Sequence, residues 1–174
     1  MKVSGNYASK IDIAKELAEL DCRAVTLTAV ARTKPADSRQ IYKDVKGTQS
    51  QSGQTPTDHQ WFFASKERRK QAAFLLMTYA KYREHYSSMA DSHGVAFTLA
   101  YRLYVKVAKD DAEISGERWQ LLVGRGFERN WRDIPKGGST GFEYDNAKVM
   151  LCRKCQTPHL VEAHHLSYQC PTCS

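Results

Sequence analysis

No stretch of this 174-residue chain is long and apolar enough to span a membrane. Its first ten residues, MKVSGNYASK, lack the apolar core that a secretory leader needs. Both absences lead to the expectation of a cytoplasmic protein, in a compartment where thiols stay reduced. No His-Glu-x-x-His, no Gly-x-Ser-x-Gly and no Walker loop occurs. Gly124-Arg125-Gly126 and Gly137-Gly138 are too short to cradle a phosphate. Internal repeats and low-complexity tracts are also missing. With no nucleophile, metalloprotease or nucleotide signature, the expectation is a binding protein and not an enzyme.

Cysteine is scarce until the end. Cys22 stands alone in an apolar helical context and reads as a small core residue. The other four form two Cys-x-x-Cys pairs, Cys152/Cys155 and Cys170/Cys173, separated by fourteen residues. Each pair is a tight turn that aims two sulfurs at one point, and two such turns supply the tetrahedral thiolate set that zinc prefers. Disulfides or free thiols are the alternatives, and the absence of a leader weighs against the disulfides. The expectation is one structural Zn2+ on Cys152, Cys155, Cys170 and Cys173. Four thiolates leave no open position for water or substrate, which again points away from catalysis. His159, His164 and His165 lie between the pairs. They read as surface groups or as hydrogen-bonding neighbours of the ligands, with His164 or His165 better placed for the second role.

The chain carries 26 Lys and Arg against 19 Asp and Glu, a net charge of +7. The excess lies in residues 1–110, with 18 basic and 11 acidic side chains; residues 111–174 carry 8 of each. Such a field favours polyanionic partners, nucleic acid first.

Periodicity predicts an all-α body with a small zinc-ribbon-like end. Ile13, Leu17, Leu20, Ala24, Leu27 and Ala31 form one apolar seam, predicting a helix over 10–31 that lines the core or meets a partner. Pro35 suits the first turn of a second helix that ends at Gly47. This pair, with Ser38, Arg39, Gln40 and Lys43 on the second helix, permits a helix-turn-helix reading. Residues 48–56 read as a loop. Thr57 to Gln60 reads as a capping box opening a helix to about Glu84, whose middle carries Lys66, Arg68, Arg69 and Lys70. That cluster is either a phosphate contact or a solvated face. Ser92-His93-Gly94 breaks the pattern before helices over 95–108 and 115–127. The expected organisation is a helical DNA-binding and oligomerisation body over 1–128, an irregular insertion over 129–147 in which Trp131, Phe142 and Tyr144 dock, and a zinc segment over 148–174. His159 to Tyr168 is compatible with a hairpin between the cysteine turns.

Several blocks resemble one family. Ile41 to Gly47 (IYKDVKG) is similar to an LYKELRG stretch, and Trp61-Phe62 to a DWF block. Ala100-Tyr101-Arg102-Leu103-Tyr104 matches an AYRLY block residue for residue. Trp119 with Leu122-Val123 is similar to an AW-x-LV helix, and the two cysteine pairs close the series. The chain thereby resembles FlhC, the C subunit of the bacterial flagellar master activator, and its relatives on mobile elements, of the AcaC/SetC kind. The resemblance implies a transcriptional activator subunit. It implies a hetero-oligomer with a FlhD-like subunit, binding to double-stranded promoter DNA, recruitment of RNA polymerase, and zinc on the four cysteines named above. About two dozen residues separate the tryptophan helix from Cys152, more than in the flagellar proteins. The KERRK cluster at 66–70 has no flagellar counterpart. Both departures favour the relatives that switch on conjugation genes over the flagellar activators.

On this reading the expected DNA contacts are Arg39, Lys43, Lys66, Arg68, Arg69 and Lys70 of the body, with Arg153 and Lys154 of the first cysteine turn. Lysines suit phosphates, and arginines suit guanine edges. Two other readings stand beside it: a zinc adaptor that binds only protein through the first apolar seam, and an RNA-binding zinc ribbon.

Overall fold

The seam from Ile13 to Ala31 does not form one helix. In the computed structural model, which describes residues 10–134, 142–143, 146–164 and 169–173, it forms α1 (Lys10–Glu19) and α2 (Ala24–Ala31). The break is a Schellman turn. Asp21 takes a left-handed conformation (φ 63°). The Cys22 amide donates to the Leu17 carbonyl at 3.0 Å, and the Asp21 amide to that of Ala18 at 3.0 Å. The periodicity runs through this reversal because both halves bury their apolar residues. Ile13, Leu17, Ala24, Leu27 and Ala31 are all buried, so the seam is core.

The start of α2 is satisfied from a distance. The Arg23 amide donates to Glu117 Oε1 at 3.0 Å, and the Ala24 amide to Ser50 Oγ at 2.9 Å. Glu117 is a buried carboxylate, and the positive end of a helix stabilises it. Arg23 also donates from Nη2 to the Gly53 carbonyl at 2.9 Å, pinning the 48–56 loop. After Arg32, left-handed at φ 58°, the chain turns through Thr33 and Lys34 into α3 (Pro35–Lys46), which ends at Gly47 (φ 74°) as expected. Each of α1, α2 and α3 packs against the other two.

Asp58, not a Thr57 box, caps the next segment by accepting from the Gln60 amide at 2.9 Å. That segment, His59–Ala64, is a 3-10 helix. The long helix α4 (Lys66–His85) starts five residues later than Trp61, where the Ser65 hydroxyl accepts from the Arg68 amide. Ser92-His93-Gly94 does not break a helix. It opens α5 (Ser92–Ala108), because Gly94 lets the helix lie against Ile13 and the Val30 carbonyl. On α5, Val95 to Tyr101 are all buried, while Val107, near its end, is 62% exposed. Helix α6 (Gly116–Asn130) is capped by Ser115 and kinked at Gly124. It runs beyond the expected end at 127 into the region read as insertion.

Trp119 anchors the centre. It is fully buried, its indole N–H donates to the Phe97 carbonyl at 3.1 Å, and it stacks on Phe97 and meets Tyr79 edge-on. Tyr101 and Tyr104 of α5 hold the link to α6: Tyr101 donates to the Ile114 carbonyl at 3.1 Å, and the Ile114 amide donates to the Tyr104 hydroxyl at 2.9 Å.

The end of the chain adds β1 (Phe142–Glu143), β2 (Ala147–Leu151) and β3 (Pro158–Glu162), an antiparallel sheet in that order. Val149 faces Leu160 in register, and both belong to the main core. Strand β3 packs against α4, so the sheet is seated on the helices. The hairpin is β2–β3, and its loop is the first cysteine turn; it does not lie between the two turns. Trp131 packs half-buried on the core. Tyr144, His165 and the Phe142 side chain lie outside the described residues.

A methyl group added at Gly116 would sit 2.5 Å from Cys22 Sγ. Gly116→Ala is expected to lower stability by about 1–3 kcal/mol, with Cys22→Ala recovering most of it in the double variant, read by chemical denaturation. Burial lowers the His93 pKa from 6.5 to about 3. The folded state therefore gains from a neutral His93 above pH 6.5 and loses that gain as pH falls toward 3. Wild type should lose about 1.4 kcal/mol per pH unit below 6.5 more than His93→Gln does.

Candidate metal centre

Two turns bring the four terminal cysteines together. Cys152 closes β2; its amide donates to the Thr157 carbonyl at 3.0 Å, and its carbonyl accepts from the Gln156 amide at 2.9 Å. Gln156 is left-handed at φ 60°, which returns the chain so that Thr157 pairs with Cys152. The Lys154 amide points at Cys152 Sγ, 3.4 Å away. The second turn, 171–173, presents Cys170 and Cys173. Cys152 Sγ lies 3.7 Å from Cys173 Sγ, Cys155 Sγ lies 3.7 Å from Cys170 Sγ, and all four sulfurs fall within 4.8 Å of one another.

These separations discriminate between chemistries. A disulfide needs about 2.05 Å between sulfurs, and all four thiols are free. Four sulfurs at about 2.3 Å from a central zinc sit about 3.8 Å apart along the edges of a tetrahedron. The donor set and its spacing therefore fit a four-coordinate thiolate ion, and the four thiols can hold a metal. Cys152 and Cys170 are buried, whereas Cys155 and Cys173 face solvent.

The thiols are not equivalent. The Thr157 hydroxyl, 3.2 Å from Cys155 Sγ, and the Thr157 backbone stabilise a thiolate there and bring its pKa down to about 6. Hydrogen bonding to the Cys155 and Cys152 sulfurs pushes Cys173 up to about 12, and burial raises Cys170. Cys155 ionises readily, while Cys170 and Cys173 resist sharing the negative charge. A cation at the centre reverses that balance.

In a comparison with known protein families, the chain matches FlhC, described as the flagellar transcriptional activator, over residues 2–174. The chain belongs to the FlhC family. No curated protein matches the chain. FlhC is a family of transcriptional activators and not of enzymes, and no helix among the described residues is long and apolar enough to cross a membrane.

The blocks that resemble FlhC have structural work in this chain. The AYRLY block supplies Tyr101 and Tyr104, and its Arg102 pairs with Glu16 of α1 at 3.4 Å. Trp61 is clasped by two guanidiniums, Arg68 and Arg118, each 4.0 Å from its ring centroid. No local pattern points to Arg118, because its partner lies more than fifty residues upstream.

The expected DNA contacts fall into three groups. Arg39 and Lys43 are exposed on α3, and α3 packs on α1 and α2. Lys66, Arg68, Arg69 and Lys70 occupy the first turns of α4. Arg68 is committed there: it pairs with Glu113 at 3.2 Å, donates to the Trp61 carbonyl at 3.3 Å and covers the indole. Lys66 and Arg69 line a cleft of about 310 Å³ whose other wall is Leu160 to Glu162 of β3, so the structure brings these two beside the cysteine segment. Lys70 is exposed. Arg153 and Lys154 are exposed on the first cysteine turn. His159 departs from the surface reading: it is 1% exposed, and its Nδ1 lies 3.2 Å from the Thr157 carbonyl, while His164 is exposed.

The centre yields a direct prediction. Reduced protein should carry one equivalent of metal by elemental analysis. Cys152→Ser and Cys170→Ser should each weaken its retention by at least about tenfold against a chelator. Binding releases protons, so affinity should fall steadily between pH 7.5 and pH 5.5, as read by competition with a colorimetric chelator.

Proposed function

We propose that this protein is the DNA-binding subunit of a FlhC-type transcriptional activator, acting in the cytoplasm with a FlhD-like partner at promoters to recruit RNA polymerase. The observation that carries this reading is the family match along essentially the whole chain. The net charge of +7, concentrated before residue 110, supports a polyanionic partner. The ion at the centre is a single structural Zn2+, held by Cys152, Cys155, Cys170 and Cys173. It ties the turn bearing Cys170 and Cys173 to the seated hairpin, and four sulfur ligands leave it no open position for chemistry.

The working organisation is a helical body over 1–128, a connecting insertion over 129–147 and a zinc segment over 148–174. Arg39 and Lys43, Lys66, Arg69 and Lys70, and Arg153 and Lys154 serve the duplex. Arg68 serves the body, since its guanidinium already holds Trp61 and Glu113. The regulated genes are those of conjugative transfer in a mobile element. The extra residues before Cys152 and the KERRK cluster favour that branch over the flagellar one.

Co-purified with a FlhD-like subunit, the protein should shift duplex fragments drawn from nearby promoters. Its affinity should fall about a thousandfold between about 50 and about 200 mM salt. Binding that ignores salt would leave the protein-only adaptor standing. Single-stranded RNA displacing the duplex would leave the RNA-binding ribbon.

A further inference from the structure

The break after α1 shortens the first member of the pair that permitted a helix-turn-helix reading to α2 alone. Helix α2, of eight residues, meets a three-residue turn (32–34) and then the twelve-residue α3. The first turn residue, Arg32, is left-handed (φ 58°, ψ 38°), at a position where helix-turn-helix units often place glycine. Helix α1 packs behind both. From this geometry we infer that α2 and α3 form a helix-turn-helix, and that α3 enters the major groove of duplex DNA with Arg39 and Gln40 reading base edges and Lys43 holding a phosphate. The inference rests on the DNA-binding reading above and assigns its sequence-reading surface.

Ser38, Ile41, Tyr42 and Val45 recur at helical spacing on the inner face of α3; Ser38 and Ile41 are buried and the other two half-buried. The opposite face carries Ala36, Arg39, Gln40 and Lys43, all exposed. Ala36 sits in the first turn of α3. There a small side chain permits close approach to a groove floor, and recognition helices make their base contacts through their N-terminal residues. Asp44 holds one Gln40 amide proton at 2.7 Å, leaving the other proton and the carbonyl for an adenine edge. Arg39 and Lys43 make no ion pair among the described residues, in contrast to Arg68 and Arg102. Asp37 and Asp44 lie along one flank of this face; Arg39 lies along the other, beside Lys46, which is paired with Asp21. The helix therefore has a basic side to set toward the phosphate strand.

The turn is locked from within. The buried Ser38 hydroxyl lies 2.6 Å from Thr33 Oγ1, accepts from Thr28 Oγ1 at 2.7 Å and meets the Lys34 carbonyl at 3.1 Å. Helix α2, the turn and α3 thus share one hydrogen-bonded node. Ser38 is a positioning residue for the reading face.

The test uses the full chain with its FlhD-like partner and selection from a random-sequence duplex pool. Wild type should enrich a motif. Arg39→Ala and Gln40→Ala should each lose preference at one or two adjacent base pairs, by about 5- to 150-fold against the wild-type choice. Arg39→Lys should keep affinity and lose preference, since an ammonium has no two-pronged fork. Lys43→Ala should weaken all sequences alike and reduce the salt slope by about one. Ala36→Glu should abolish duplex binding while the complex still assembles, and Lys81→Ala, an exposed charge on α4, should change nothing. If wild type enriches a motif that all the α3 variants keep, this assignment is overturned and the DNA-binding reading stands. If wild type binds duplexes without salt dependence or enrichment, both fall. Loss of the FlhD-like partner in the α3 variants would make this face a subunit contact and overturn the assignment as well.

Discussion

A single reversal of the backbone, at Asp21, sets the arrangement of the helical part. Its left-handed φ lets the amide of Cys22 reach the carbonyl of Leu17, and that bond ends α1. An unbroken helix would carry Ala24 to Ala31 away from the body. Folded back, the chain places Cys22 under Gly116, Arg23 beside Glu117, and α1 behind both α2 and α3. The carboxylate of Glu117 is then buried at the positive end of α2, so α6 and the N-terminal helices are joined by charge as well as by apolar contact.

The cysteine segment depends on the body in a different way. Val149 and Leu160 belong to the same core as Trp119, and β3 lies along α4. The helices seat the hairpin, and the hairpin then aims Cys152 and Cys155. Coordination has only to bring in the turn bearing Cys170 and Cys173. Because Lys66 and Arg69 share a cleft with β3, the charge at the start of α4 and the cysteine segment present one continuous surface.

Much of this was legible in the sequence. The spacing of the cysteine pairs predicted a shared site, because two short turns have few ways to arrange four sulfurs. Pro35 and Gly47 marked both ends of α3, since each is tied to a particular backbone conformation. Trp119 and Leu122-Val123, the block similar to AW-x-LV, fall on one helix as that block implied, and all three are buried. The failures have physical causes. An apolar seam records which residues are buried and does not record a reversal that keeps them buried, so α1 and α2 were read as one. Gly94 read as a breaker but serves a close approach between helices. The turn at Thr57 to Gln60 carries a real cap, yet the helix that follows is 3-10, and the α-helix waits for Ser65. Arg68 looked like one of four equivalent cations. Its commitment to Trp61 and Glu113 is a tertiary fact that no local pattern carries.

Half of the thiol set is buried and half faces water. An ion held there is shielded by β2 and the second turn on one side and open on the other. An incoming reagent would meet Cys155 and Cys173 first, while Cys152 and Cys170 would hold the inner side.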